Sequence, residues 1–473
     1  MQRRNGDLLF SPSDLSAFLA CRHLTRLQLG VARGEVERPA ADDPQGELIR
    51  RKGDEHEQAY EEALRAAGKD VARIHLDEAA WDLERAARET EEEMRAGREV
   101  IYQGVLLSCH GWRGLADFLE RVDEPSALGD WSYEVADTKL ARHAKPYHLL
   151  QLCFYSHEVA RIQGREPEQM HLVLGSGARE PFRPADFDAY FRRVRSRFLA
   201  FVAAEPATYP LPVDHCDICE FKSRCEQQWR DDDHLTLVAR MGRGQVTRLQ
   251  GAGIARLETL ATTPAGTAIP RMAPATFETL RHQAELQLAA RRDGRLRYDL
   301  LPYEEKRGLA FLPKPSPGDV FFDIEGDPWW EAERGLEYLF GVLWREGGET
   351  RYRVFWAHDR DEERRAFEEL VDFFHERLRA HPDMHVYHYA HYEPTALKRL
   401  MGEYGTREEA VDDLLRRETF VDLYAVVRQG LMASVERYGL KDIERFYFRG
   451  REAEVASGGD SVVDYERWME TRE

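Results

Sequence analysis

Charged side chains of the types that hold a divalent cation recur between residues 111 and 155. Asp117 follows a glycine-rich turn, and a single threonine, Thr138, separates Asp137 from Lys139. Carboxylate oxygens are the ligands that hard divalent cations prefer, and such a cation polarises a phosphate and generates hydroxide from water. Because side chains alternate along a strand, we expect Asp137 and Lys139 on one face, with the lysine beside the cation.

The residues around this acidic segment predict the elements that position it. A strand is expected to lead into Asp137, and residues 148–159 predict a helix. Gln151 and Tyr155 are four residues apart in that helix and therefore share a face. Glu134 has the opposite strand parity from Asp137 and is a lesser candidate for the same site.

The order Gly-x-x-Asp, Asp-x-Lys and Gln-x-x-x-Tyr resembles the PD-(D/E)xK nucleases, in particular their RecB-type branch with its Q-x-x-x-Y helix. A surface strand with a fortuitous Asp-x-Lys is the alternative. The resemblance implies a metal-dependent nuclease whose catalytic residues are Asp117, Asp137, Lys139, Gln151 and Tyr155.

An upstream helix carries the sequence Gly53-x-x-His56. In the RecB-type branch a helix of this pattern supplies a histidine ligand to the active-site metal. The resemblance therefore implies that His56, Asp117 and Asp137, together with the carbonyl of Thr138, hold Mn²⁺ or Mg²⁺. An exposed histidine on a charged helix is the alternative.

Three cysteines, Cys216, Cys219 and Cys225, form a C-x2-C-x5-C pattern, and Cys21 lies far upstream. Four thiolates suit an iron–sulfur cluster or a tetrahedral zinc ion. Together with the N-terminal S-x-x-D-L-x-x-F-x-x-C helix, the pattern resembles the iron–sulfur RecB-type nucleases, which include AddB and the CRISPR adaptation exonucleases. The resemblance implies a 4Fe-4S cluster on these four cysteines. We expect it to act as a structural staple, because it would close a long segment of chain.

A second acidic strand follows a proline-rich joint at residues 313–318. Asp323 and Glu325 are two residues apart in an apolar strand and should share one face. Burying two like charges is costly unless a cation compensates them. The pair is therefore a metal-site hypothesis, with a strand end bearing exposed carboxylates as the alternative.

Strand patterns at 340–344 and 352–356, followed by a helical pattern at 362–378, extend this segment. The arrangement resembles DEDD exonucleases on an RNase H-like fold, and the YprB-like group in particular. The resemblance implies Glu393 and Asp422 as further metal candidates.

The family's last Tyr/His-x-x-x-Asp motif has no match in this sequence, and Asp464 is a poor substitute. We therefore expect the RNase H-like domain to be weak or inactive. In the related large nucleases a helicase follows this domain, whereas this sequence contains no Walker A motif. We expect either a piece of a longer chain or an incomplete second site.

The length of 473 residues favours two or three domains. We expect an α/β protein with a PD-(D/E)xK restriction-endonuclease-like domain at 1–230, a helical linker at 231–315 and an RNase H-like α/β domain at 316–473. A weak helix–hairpin–helix pattern lies at 246–260, and a plain helical linker is equally compatible with it.

A net charge of −19 argues against a protein that coats nucleic acid nonspecifically, but it allows a nuclease with acidic metal ligands. The sequence has neither an apolar run long enough to span a membrane nor a signal peptide, so we expect a cytoplasmic location.

These observations predict a metal-dependent DNA nuclease that acts on single-stranded DNA or DNA ends in repair, recombination or defence, with a helicase as a partner. One alternative places cleavage in the RNase H-like domain. The other is a non-catalytic scaffold that binds nucleic acid for a helicase.

Overall fold

The computed structural model describes residues 1–4, 6–39, 44–76, 82–108, 111–331, 334–448 and 458–472. Cys109, for which the sequence predicts a place in the core, lies outside these ranges. The chain divides into two compact units. Unit 1 holds residues 1–223 together with 331 and 334, and unit 2 holds residues 224–330 and 335–473.

Unit 1 is a mixed α/β structure. Its strands are β1 (Gln2–Arg4), β2 (Asp7–Leu9), β3 (Val71–Arg73), β4 (Val100–Ser108), β5 (Trp112–Val122), β6 (Ser132–Lys139), β7 (Met170–Leu174) and β8 (Arg179–Phe182). Its helices are α1 (Pro12–Ala20), α2 (Arg22–Arg33), α3 (Pro44–Ala66), α4 (Leu83–Ala96), α5 (Pro146–Gln163) and α6 (Pro184–Ala204).

Six strands of unit 1 form one sheet in the order β3-β4-β5-β6-β7-β8. The neighbours β4, β5 and β6 are antiparallel, whereas β6 and β7 are parallel. A parallel pair needs a crossover connection, and α5 supplies it. The pair Phe118–Ala136 fixes the register of β5 against β6, which brings the acidic positions of the two strands side by side.

Helix α5 packs its apolar face into the core of unit 1, with Cys153 buried as its apolar surroundings predict. The sheet approaches this helix most closely at Gly114. A Cβ atom at that position would lie 2.6 Å from a ring carbon of Tyr155, too close for any side chain. Only glycine therefore allows β5 to lie directly against the Tyr155 ring.

Unit 2 begins within α7 (Lys222–Asp231). Its other helices are α8 (Arg243–Gly251), α9 (Leu257–Thr262), α10 (Pro274–Asp293), α11 (Arg360–Ala380), α12 (Tyr392–Tyr404), α13 (Glu408–Arg416), α14 (Leu423–Gly430), α15 (Leu440–Ile443) and α16 (Gly458–Thr471). Its strands are β9 (Tyr298–Leu300), β10 (Val320–Asp327), β11 (Leu336–Glu346), β12 (Glu349–Trp356), β13 (Val386–His388), β14 (Phe420–Asp422) and β15 (Leu431–Ala433).

The main sheet of unit 2 has the order β12-β11-β10-β13-β14. Its first three strands are antiparallel, and β13 and β14 then continue it in parallel with β10. The patterns at 340–344, 352–356 and 362–378 correspond to β11, β12 and α11. Aromatic and aliphatic side chains of β10, β11 and α11 fill the core between sheet and helix, including Phe322, Phe340 and Phe367.

The segment at 231–315 contains helices, as its sequence predicts, but it also contains β9, which pairs with β15 near the other end of unit 2. This segment therefore packs as part of a compact unit. Within the described ranges, no helix has the length and apolar content required to cross a membrane.

Candidate active site

Asp137 lies at the centre of a buried polar cluster in unit 1. Its side chain is fully buried in β6, and its Oδ1 atom has no hydrogen-bond partner among the described residues. Its Oδ2 atom forms an ion pair with Lys139 Nζ, which also donates a hydrogen bond to the carbonyl oxygen of Thr138 at 2.9 Å. The alternation of β6 therefore places the aspartate and the lysine together, as the sequence predicts.

Asp117 on β5 belongs to the same cluster. Its Oδ2 atom accepts hydrogen bonds from the backbone nitrogen of Thr138 at 2.7 Å and from Thr138 Oγ1 at 2.9 Å. Burial and the negative charge of Asp117 raise the pKa of Asp137 to about 7. Two carboxylates in a low-dielectric site repel each other, and a cation between them would remove that cost.

Tyr155 and Gln151 extend from α5 towards this cluster. Gln151 Nε2 donates a hydrogen bond to the Tyr155 hydroxyl at 2.7 Å. Burial, followed by the charges of Asp137 and Asp117, raises the pKa of Tyr155 well above its usual value. The hydroxyl therefore stays protonated beside the carboxylates, and Gln151 fixes its orientation.

His56 lies on α3, where its Nε2 atom is 3.5 Å from the carbonyl oxygen of Val173. Val173 is the register partner of Thr138 on the neighbouring strand, so His56 faces the same edge of the sheet as the cluster. Glu57, the next residue on α3, is a site residue that the sequence analysis missed. Its pKa is raised to about 7 by burial and by the charge of Asp117.

Gln103 on β4 supports Glu57. Its Nε2 atom donates to Glu57 Oε1 at 3.3 Å. The pairing of β4 with β5 passes from Tyr102–Phe118 to Gly104–Ala116, and Gln103 falls between these pairs with a φ of 55°. A residue in the left-handed region inside a strand points its side chain in a different direction from its neighbours, and the strained backbone costs some free energy. No sequence pattern marks this left-handed residue, because glutamine has no preference for a positive φ.

Glu134 lies away from the cluster. It accepts a hydrogen bond from the backbone nitrogen of Gln169 at 2.9 Å, and its Oε2 atom is 2.8 Å from His171 Nε2. These contacts join β6 to β7 and give Glu134 a structural role.

The described residues contain no group of three or more His, Cys, Asp or Glu side chains already arranged around a common metal position. The triad of His56, Asp117 and Asp137 is therefore not preassembled, and as a ligand set it stays a prediction. The chemistry of the cluster still fits a hard divalent cation. It offers carboxylate oxygens, one of which is buried without a hydrogen bond at Asp137 Oδ1.

Three of the four predicted cluster cysteines lie in unit 1. Cys21 separates α1 from α2, and its Sγ atom is 3.5 Å from the backbone nitrogen of Leu24. Cys216 lies in a short 3-10 helix at residues 214–218, and Cys219 follows the last residue of that helix. Burial raises the pKa of Cys219, and the charges of Cys216 and Cys21 act in the same direction. None of these cysteines is in a disulfide, and among the described residues the cysteines do not form a preassembled metal-binding group. Cys225 lies in the first turn of α7.

In unit 2, Asp323 and Glu325 lie on β10, where strand alternation places them on one face. Burial, followed by the charge of Asp323, raises the pKa of Glu325. A hydrogen bond with the hydroxyl of Ser461 on α16 lowers the pKa of Glu325 and offsets part of this effect. The two carboxylates thus form the acidic pair that the sequence predicts.

The other two acidic candidates of unit 2 have local partners. Asp422 Oδ1 accepts hydrogen bonds from the backbone nitrogens of Tyr424 at 2.9 Å and Ala390 at 3.0 Å, so this side chain caps α14. Glu393 is buried on α12, with its Oε2 atom 3.5 Å from His388 Nδ1. No part of this set appears as a metal-binding cluster among the described residues.

Part of unit 2 matches a known family model. Residues 320–473 match the family model of the RNase H superfamily. The match gives this region a nuclease-type fold that processes nucleic acid, and RNase H-like nucleases use Mg²⁺ or Mn²⁺. No curated protein matches the chain. From here on, residues 320–473 are called the RNase H-like region.

Replacing Glu57 with glutamine should stabilise the metal-free protein more at high pH than at low pH. Because the folded-state pKa of Glu57 is about 7 rather than about 4.5, the folded protein retains a proton that the unfolded chain loses between these values. Its contribution to stability therefore falls as pH rises through this window. We expect Glu57→Gln to gain about 1 to 2 kcal/mol between pH 4.5 and pH 8.

Urea unfolding in EDTA across this pH range measures the difference. Glu55→Gln, on the same helix with a side chain 58% exposed, is the matched control and should show no such trend. Parallel pH profiles for the two variants would contradict the placement of Glu57 beside Asp117.

Proposed function

We propose that this protein is a metal-dependent nuclease that hydrolyses phosphodiester bonds of DNA at the polar cluster of unit 1. The observation that carries the proposal is the buried Asp137, which pairs with Lys139 and lies beside Asp117. Two acidic side chains can hold a divalent cation that activates a water, and a neighbouring lysine can stabilise the negative charge that develops on the phosphate.

Each side chain of the cluster has a role that follows from its surroundings. Asp117 and Asp137 would hold Mn²⁺ or Mg²⁺, with His56 and Glu57 on α3 as further ligands. The bound cation supplies Lewis acidity and lowers the pKa of a water. The Lys139 ammonium stabilises the negative charge that develops on the phosphate. The RecB-type resemblance assigns Gln151 and Tyr155 to the positioning of the nucleic-acid strand, and Gln151 holds the Tyr155 hydroxyl by a hydrogen bond.

The topology of unit 1 supports the PD-(D/E)xK assignment. Three antiparallel strands, β4, β5 and β6, followed by the crossover helix α5 and the parallel strand β7, place the Asp-x-Lys strand at the centre of the sheet. Gly114 and Tyr155 pack together in this structure, which joins two motifs of the RecB-type resemblance in one contact. That resemblance favours single-stranded DNA or DNA ends as substrate, a helicase as partner and the cytoplasm as location.

We also propose that Cys21, Cys216, Cys219 and Cys225 hold a 4Fe-4S cluster. Support comes from the C-x2-C-x5-C spacing and from the effect of Cys216 and Cys21 on the pKa of Cys219. The cluster would link α1 and α2 covalently to the segment that follows α6. The same region already has His23 Nδ1 2.9 Å from Thr208 Oγ1 and an ion pair between Arg33 and Glu205.

A second candidate places hydrolysis in the RNase H-like region. The specific observation in its favour is the pair Asp323 and Glu325, whose charges lie on one face of β10 within a match to a nuclease superfamily. Against it, Asp422 is engaged as a helix cap and Glu393 is buried beside His388.

Asp117→Asn and Lys139→Met should each reduce metal-dependent DNA cleavage at least about a hundredfold, because each removes a charge from the reacting site. Gel assays of single-stranded and duplex DNA, labelled at either end, in Mn²⁺ or Mg²⁺ measure the loss. The matched control is Asp123→Asn, just beyond the end of β5, whose side chain is 94% exposed. It should cleave like the wild type.

The same assay separates the alternatives. Cleavage that survives Asp117→Asn but is lost in Asp323→Asn would move the reaction to the RNase H-like region. Tight DNA binding by the wild-type protein without hydrolysis in either metal would identify a non-catalytic scaffold.

Protein purified without oxygen should show the broad visible absorption of an iron–sulfur cluster, and Cys216→Ser should lose it. Cys153→Ala, in the core of unit 1, is the control and should retain the colour. A colourless protein that contains stoichiometric zinc would establish the zinc site instead.

A further inference from the structure

A cavity of about 470 Å³ in unit 2 is lined almost entirely by flat rings. Its lining residues are Tyr338, Trp356, His358, Asp464, Tyr465 and Trp468. The volume lies within the ~300–1,000 Å³ range of small-ligand sites. Among the described residues of the lining, Asp464 supplies the one carboxylate.

Four rings of this pocket, those of Tyr338, Tyr465, His358 and Trp356, form a series in which each is inclined by 25° or less to the next. The fifth ring, that of Trp468, is inclined by 28° to Tyr465 and by 45° to His358. Tyr338 and Tyr465 stack at 3.9 Å between centroids with an interplanar angle of 8°. His358 is inclined by 19° to Tyr465, and Trp356 by 25° to His358. The indole of Trp356 is 50% exposed. The rings thus form a platform with an open end.

The backbone holds this platform in place. The pairing of β10 with β11 passes from Glu325–Leu339 to Gly326–Glu337, so Tyr338 is an extra residue in β11. A bulge of this kind re-aims a side chain.

A hydrogen-bonded path joins the pocket to the acidic pair on β10. The Tyr338 hydroxyl lies 2.6 Å from Ser461 Oγ, and Ser461 is hydrogen-bonded to Glu325. The pocket and the carboxylate pair are therefore separated by one serine side chain.

Parallel rings favour a planar ligand. A quaternary ammonium is usually held by rings that surround it, whereas a nucleobase adds a further layer to a stack and gains binding energy from each ring face. Arg472, whose guanidinium lies 4.6 Å from the centroid of Trp468, brings a positive charge to the same rim. That charge suits a ligand attached to a phosphate backbone.

The position of Asp464 indicates which base fits. Its carboxylate makes a 3.4 Å ion pair with Arg467 and is 46% exposed, so this pair is weak and can be exchanged. A carboxylate accepts two parallel hydrogen bonds, and the Watson–Crick edge of guanine presents two adjacent N–H donors. Adenine and cytosine each present a single amino group there, and thymine a single imino group.

We propose that this aromatic pocket binds an unpaired guanine of single-stranded nucleic acid, stacked on Trp356 and hydrogen-bonded to Asp464. The inference rests on nucleic acid being the substrate, as the RNase H-like region implies, and it requires no cleavage at either acidic site. The pocket would hold one nucleotide beside Asp323 and Glu325, so it would anchor the strand whichever unit cleaves it.

Binding of labelled heptathymidylate that carries one central guanine, adenine or cytosine tests the pocket, by fluorescence anisotropy on the full chain in EDTA. The guanine oligonucleotide should bind about five- to tenfold more tightly than the others. Trp356→Ala should weaken its binding about tenfold, whereas Asp464→Asn should remove only the preference for guanine. Tyr303→Ala, an aromatic residue of unit 2 that is 80% exposed, is the matched control and should bind like the wild type.

EDTA prevents metal-dependent cleavage. The binding assay therefore tests the aromatic pocket alone, and the cleavage assay tests the polar cluster of unit 1 independently. Equal affinities for all three oligonucleotides, or equal binding by Trp356→Ala and Tyr303→Ala, would overturn the proposal. Stronger displacement by tetramethylammonium chloride than by the same concentration of sodium chloride would show a cation cage and would also overturn it. Far-UV circular dichroism of each variant confirms that it is folded.

Discussion

The burial of Asp137 is the constraint on which the polar cluster of unit 1 depends. A carboxylate removed from water and placed beside a second carboxylate is unfavourable unless positive charge compensates it. Lys139 supplies part of that charge, and Asp117 is held in place by the backbone and hydroxyl of Thr138. Such an arrangement costs stability, and a cation bound at the proposed site would offset that cost.

The arrangement of the sheet and α5 keeps Asp137 buried beside its charged neighbours. Strand alternation brings Asp137 and Lys139 to one face, and the antiparallel register brings Asp117 beside them. The close approach of β5 to α5 at Gly114 seals the cluster with the Tyr155 ring. Each of these features is local in sequence, which is why the spacing of a few residue types could predict them. The same holds for Asp323 and Glu325, whose shared face follows from a spacing of two residues.

Features that depend on tertiary contacts could not be predicted in this way. Glu57 is one of many acidic residues on a charged helix, and only packing against β4 brings it near Asp117. The left-handed backbone of Gln103 has no sequence signal. Asp422 matches a family position but caps α14, because its side chain lies within reach of three backbone nitrogens. The aromatic pocket combines residues of β11, β12 and α16, whose contact no periodicity reveals.

Each unit contains its own group of acidic side chains. A measurement of cation binding in the absence of nucleic acid shows most directly which of the two groups binds a cation. Electron paramagnetic resonance of free Mn²⁺ gives the number and affinity of bound ions. Wild-type protein should bind a Mn²⁺ ion that Asp323→Asn retains and that Asp137→Asn binds at least about tenfold more weakly. Unchanged Mn²⁺ binding by Asp137→Asn would contradict a cation site at the buried carboxylates of unit 1.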